Sequence, residues 1–131
     1  MLQQLTVSFD ERGVSINKRT TGGGYENIAA AYLIKNRVKI LEMNFRCKTG
    51  EIDIIGRDDD YLVFFEVKYR NSFQMGSPKE AVDYRKMKKI CRVSDYYRLI
   101  HHLDESTPIR YDVISIKGEE IEWVRNAFDY M

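Results

Sequence analysis

The chain has 131 residues, 44% of them hydrophobic and 31% charged, with nine Tyr and six Phe. That length fits one domain rather than two. The composition can fill a packed core, which excludes a disordered chain, a coiled coil and a collagen-like chain. A net charge of +1 conceals an uneven distribution, with +5 over residues 17–48, −5 over 51–66, +6 over 68–98 and −4 over 99–131. An acidic block between two basic ones suits a site that holds cations and a polyanion together, although a solvated surface can carry the same pattern.

No window approaches the roughly 18 apolar residues of a membrane helix, and the N-terminus MLQQLTVSFDER lacks the basic start and apolar core of a signal peptide. The expectation is a cytoplasmic protein with no membrane partner. Cys47 and Cys91 are too few for a disulfide scaffold and lack zinc-ligand spacing, so they are read as reduced, buried thiols.

Residues 3–17 alternate apolar and polar on either side of Asp10 to Gly13, which predicts a short hairpin or arm over residues 1–17. A single domain is expected over 18–131. Gly22 to Gly24 lack the Lys-Ser/Thr of a phosphate loop and read as a flexible approach to a helix. In that helix Tyr25, Ile28, Ala29, Tyr32 and Leu33 form one apolar stripe ending near Asn36, with Glu26 beside it in the first turn.

Residues 38–46, 50–56 and 61–70 read as three strands of a meander, apolar on both faces, as in a sheet covered on both sides. Asp58 to Asp60 read as a solvated turn. A second helix is predicted from Ser77, with Pro78 in its first position and Glu80 closing a capping box. Its inner stripe is Asp83, Met87, Ile90, Ser94 and Tyr97, with Arg85, Lys86, Lys88, Lys89 and Arg92 outside or beside it. His101 and His102 fall at the helix end. Residues 109–116 and 121–124 form a closing hairpin across Lys117 and Gly118, where Trp123 reads as core packing.

In apolar strands the few charges are conspicuous. Glu66 and Lys68 share a face, as do Glu51 and Asp53, and pairing across the Asp58 turn brings these groups together. Clustered carboxylates repel one another unless a divalent cation binds or some are protonated. Mg²⁺ suits such a site, since it takes a few carboxylate oxygens and completes its shell with water and phosphate. Lys68 can then orient the attacking water or stabilise charge on the phosphate. An ordinary Glu66/Lys68 ion pair is the competing reading. Glu51 either joins the site, as a second layer around it, or pairs with a basic neighbour such as Lys48. Asp112 pairs either with Arg110 or with the basic helix.

Asp53 followed by Glu66-x-Lys68, with an earlier helical Glu26, resembles the Asp...(Asp/Glu)-x-Lys core of the restriction-endonuclease-like nucleases, including archaeal Holliday-junction resolvases. More closely, TGGGYENIAAAYL, NFRCKTGEIDII, LVFFEVKYR, SPKEAVDYRKMKKI and RYDVISI with the later NAF resemble the YraN-like family of bacterial proteins, over about residues 20–128. The resemblance implies an α/β restriction-endonuclease-like fold, with a central mixed sheet flanked by helices. It further implies a Mg²⁺ or Mn²⁺ site at Glu26, Asp53 and Glu66, with Lys68 as catalytic lysine.

The expected activity is metal-dependent hydrolysis of DNA phosphodiester bonds, with branched or junction DNA as a candidate substrate. Sequence-independent backbone contacts would come from Arg70, Lys86, Lys88, Lys89 and Arg92. A homodimer is a candidate assembly, because junction cutting needs two sites. A non-catalytic nucleic-acid-binding protein of the same fold, and a scaffold whose charges are internal ion pairs, remain the alternatives.

Overall fold

The computed structural model describes residues 7–9, 15–17, 21–70 and 83–131. Strands β1 (Val7–Phe9) and β2 (Ser15–Asn17) pair antiparallel as a separate two-stranded sheet. They are followed by α1 (Thr21–Lys35), β3 (Lys39–Arg46), β4 (Glu51–Asp58), β5 (Tyr61–Arg70), α2 (Tyr84–Ile100), β6 (Ile109–Lys117) and β7 (Glu120–Phe128). The main sheet has the order β3-β4-β5-β6-β7. Every pair is antiparallel except β5 with β6, which run parallel because the segment between them crosses over and includes α2. This is a mixed sheet between two helices, an α/β fold of the restriction-endonuclease-like kind.

The sheet divides two cores. On one face Ile28, Ala29, Ala30 and Leu33 of α1 pack against Ile54, Val63, Phe65, Ile114 and Ile116. On the other, Ile90, Cys91, Val93 and Tyr97 of α2 pack against Phe45, Ile52, Phe64, Tyr111 and Val113. Alternation along β5 and β6 supplies both layers at once, which is why these strands read as continuous apolar runs. Gly118, at φ 62°, takes the first position of the two-residue loop joining β6 to β7, where a side chain would be strained.

Several sequence expectations need correction. Gly22 to Gly24 lie inside the first turn of α1 rather than before it. The expected cap at Ser77, Pro78 and Glu80 lies outside the described residues. A continuous helix from there is interrupted at Asp83, which is extended (φ −82°, ψ 169°) and caps α2 by accepting the Lys86 N–H at 2.9 Å. Asp83 is therefore an exposed cap and not part of the inner stripe. His101 caps the other end, donating its backbone N–H to Tyr97.

Asp112 is fully buried and pairs with Arg110, whose Nη2 lies 2.8 Å from Oδ2 and also 2.8 Å from Asp58 Oδ2. The Asp58 turn is consequently only partly a solvated one, since Asp59 and Asp60 are exposed while Asp58 is tied to β6. Asp112 also accepts from Trp123 Nε1 and from the backbone of Asn126, both at 2.8 Å, which fastens β7 to the sheet beside the register shift between Tyr111 and Val113. Trp123 packs on the α1-side core.

Candidate metal and phosphate site

Strands β3 and β4 pair through Met43↔Ile54 and Phe45↔Ile52, so Asn44 and Asp53 lie opposite each other. Met43 and Ile54 belong to the α1 core, yet Phe45 and Ile52, two residues further along each strand, belong to the α2 core. Regular alternation would keep each pair on one face. The switch occurs at Asn44, which takes the left-handed conformation (φ 54°) that asparagine tolerates better than most residues. Asp53 is thereby released from either core.

The β4/β5 ladder is paired up to Ile54↔Phe65. Asp53 then replaces backbone pairing with a side-chain bond, its Oδ2 accepting the Val67 N–H at 2.8 Å. A half-buried carboxylate is thus held at the point where β4 and β5 part, open to both helical layers.

Glu26 arrives from α1 and Glu51 from the start of β4. One carboxylate oxygen from each of Glu26, Glu51 and Asp53 lies within 4.8 Å of the others. Asp53 is also in hydrogen-bonding reach of both Glu26 and Glu66. Glu66 is only 4% exposed and lies 3.2 Å from Lys86 Nζ of α2. Burial, then the Asp53 charge, push the Glu66 carboxyl up to about 7 against the opposing pull of Lys86. Burial, Asp53 and Glu51 push Glu26 up to about 7, with Asn44 opposing. Burial disfavours the Lys86 ammonium, but Glu66, Asp53 and Glu51 outweigh it and raise its pKa.

A cleft of about 610 Å³ opens beside these groups, lined by the acids Glu51 and Asp53, by the bases Arg46, Lys86 and Lys89, and by Cys47. Cys91 is a free, buried thiol, whereas Cys47 is free but only half-buried. Three carboxylate oxygens within 4.8 Å suit an octahedral Mg²⁺ or Mn²⁺, whose ligand oxygens lie about 3 to 4.2 Å apart for bonds near 2.1 Å. The donor set is all hard oxygen, which excludes a thiolate-type zinc site there.

Of the residues expected at a site, Glu26, Asp53 and Glu66 are brought together. Glu51 joins them directly, with its other interaction an exposed pair to Arg46 at 3.3 Å rather than to Lys48. Lys68 is half-buried on β5, in regular register opposite Ser115, on the same face as Glu66. The basic residues divide. Lys86 and Lys89 line the cleft, and Lys88 lies over the Tyr84 ring. Arg92 is engaged with Asp95, Tyr130 and the Met131 carbonyl. Arg70 is buried, at 7% exposure, and so differs from the solvent-facing helix cations.

The five-stranded mixed sheet between two helices is an α/β fold consistent with the restriction-endonuclease-like class. Residues 25–116 match the Uncharacterised protein family UPF0102. The chain is 46% identical over 114 residues to a UPF0102 protein of Lachnoclostridium phytofermentans, covering 87% of this chain and 97% of the relative. It is 42% identical over 115 residues to one from Clostridioides difficile, covering 86% and 100%, and 42% identical over 114 residues to one from Aliivibrio fischeri, covering 85% and 93%. The chain belongs to the UPF0102 (YraN-like) family.

Proposed function

We propose that the protein is a divalent-metal-dependent phosphodiesterase acting on DNA. One observation carries this reading: the Glu26, Glu51 and Asp53 oxygens gathered within 4.8 Å, beside a cleft that Lys86, Lys89 and Arg46 also line. Acids alone suit many cations. Acids and bases lining one cleft suit a cation and a phosphate together.

Mg²⁺ or Mn²⁺ held by Asp53 with Glu51 and Glu26 would activate water and offset charge on the phosphate. Asp53 fixes this arrangement through its bond to Val67 N–H, which locks the carboxylate to β5. Glu66, held beside Asp53, contributes negative charge and a proton acceptor. Lys68, on the Glu66 face of the strand, orients the attacking water or donates to the developing charge. Lys86 and Lys89 receive the phosphate backbone, giving affinity without base reading.

The test is incubation of labelled branched, single-stranded and duplex DNA with wild type and Asp53→Asn in 1 to 10 mM Mn²⁺, roughly the range in which carboxylate sites fill. The expected result is strand scission by wild type only. Salt-sensitive binding with no scission on any substrate would replace this reading with that of a non-catalytic DNA-binding protein.

A further inference from the structure

Behind its acidic cap Asp83, the first turn of α2 is basic. It holds Arg85 and Lys86 and no acidic residue, with Lys88 and Lys89 in the next turn. Helix N-termini carry partial positive charge and favour acids. Asp83 answers the dipole at the cap, and the cations behind it call for a partner elsewhere in the fold.

Lys86 supplies the explanation. Asp83 fixes where the helix starts by accepting the Lys86 N–H, so the third residue of α2 is held with its side chain reaching across to β5. Its Nζ lies 3.2 Å from Glu66 Oε2. The two partners are unlike: the Glu66 side chain is 5% exposed, whereas that of Lys86 is 48% exposed and lines the cleft. A buried carboxylate cannot leave, but a long, half-solvated lysine can swing into the cleft without moving the backbone. A cation bound at Asp53 would take over the neutralisation of this cluster and weaken the hold on Lys86.

We propose that Lys86 is an exchangeable counter-ion, which neutralises Glu66 in the metal-free protein and transfers to the substrate phosphate when a divalent cation binds the carboxylates. This rests on the metal-and-phosphate reading of the site and adds an order to it: cation first, then phosphate. It makes Lys86 a phosphate-binding residue whose contribution to DNA binding exists only with metal. Lys89, without such a carboxylate partner among the described residues, serves as the control on the same helix.

The experiment measures Mn²⁺ affinity calorimetrically, without DNA, in wild type, Lys86→Met and Lys86→Arg. It then measures fluorescence anisotropy of a phosphorothioate-backbone DNA duplex in chelator and in Mn²⁺. Removing the competing ammonium should tighten Mn²⁺ binding about three- to tenfold in Lys86→Met, with Lys86→Arg near wild type. The same Lys86→Met protein should lose about three- to tenfold in DNA affinity in Mn²⁺ and little in chelator, whereas Lys89→Met should lose equally in both. Unchanged Mn²⁺ affinity in Lys86→Met, or an equal DNA loss with and without Mn²⁺, would overturn the exchange while leaving the metal site standing. Wild type that binds no Mn²⁺ would overturn both. Should Lys86→Met fail to fold, Lys86→Gln carries the same comparison, with far-UV circular dichroism as the check.

Discussion

Asn44 and Asp53 face each other across β3 and β4 at the point where both strands change the core they cover. A left-handed Asn44 turns β3 over, β4 follows, and the Asp53 carboxylate is left between the layers with Val67 N–H as its anchor. The site is thus a consequence of a strand irregularity, which is a common place for function in sheets.

Asp53→Asn separates a repulsive cluster from a structural ion pair. The amide oxygen can still accept from Val67 N–H, so the anchor survives while one like charge beside Glu26 and Glu66 is removed. In chelator the variant should be as stable as wild type or more so. In Mn²⁺ at a hundredfold excess over Kd, wild type should gain about 2.7 kcal/mol that the variant lacks. Thermal melts of both proteins, with and without metal, give the comparison. A variant much weaker in chelator, with no metal shift in wild type, would contradict the cluster reading.

Stability should fall with rising pH. Glu26 and Glu66 titrate near 7 in the folded protein against an ordinary value of 4.5, so between those values the folded state holds protons that the unfolded state has released. Stability from these groups is full below about 4.5 and is lost as pH rises through 7. Urea unfolding of wild type and of Glu26→Gln/Glu66→Gln at half-unit pH steps isolates their share. The double variant should lack this decline, and saturating Mn²⁺, which binds the ionised carboxylates, should offset it in wild type. Identical pH profiles for the two proteins would contradict the raised values.

Asp112→Ala should behave oppositely to Asp53→Asn. This buried carboxylate is fully partnered by Arg110, Trp123 Nε1 and Asn126 N–H. Its removal leaves three donors short of an acceptor and should cost roughly 3 to 5 kcal/mol, whether or not metal is present. Chemical denaturation measures it. A loss under about 1 kcal/mol would show that Arg110 is satisfied by Asp58 alone.

DNA affinity should fall steeply with salt, and joint neutralisation of Lys86, Lys88 and Lys89 in the presence of Mn²⁺ should weaken binding about equally for unrelated sequences. Each phosphate contact releases condensed counterions whatever the base. Anisotropy titrations from 50 to 200 mM salt, roughly the span over which the slope is resolved, check both statements. Loss on one sequence and none on another would point to base reading instead.

The strands and helices were legible because each has a clear period. The apolar stripe of α1 matches its buried Ile28, Ala29 and Leu33, and the run YLVFFEVKYR is β5 from end to end. Spacing also pointed to Asp53, Glu66 and Lys68, since charges in doubly covered strands are costly. What spacing could not give is the change of face at Asn44, because a period-two reading assumes that a strand keeps its faces. For the same reason the spacing leaves Glu51, at the strand's start, between the site and a surface pair. In the sequence Lys86 is one of several helix cations. Its distinction depends on Asp83 as the cap, and the Ser77 to Glu80 pattern offered a stronger capping signal six residues earlier. The signal that could have found it is Asp83 three residues before Lys86, at cap spacing, ahead of a first turn that is otherwise basic.

The most direct test of the metal site is anomalous diffraction from crystals soaked in Mn²⁺ and recorded above the manganese edge. The account predicts one strong peak about 2.1 Å from an Asp53 oxygen, with Glu51 or Glu26 completing the protein ligands and Lys86 Nζ moved away from Glu66. A soaked crystal with no peak at these carboxylates, and with Lys86 still paired to Glu66, would contradict it.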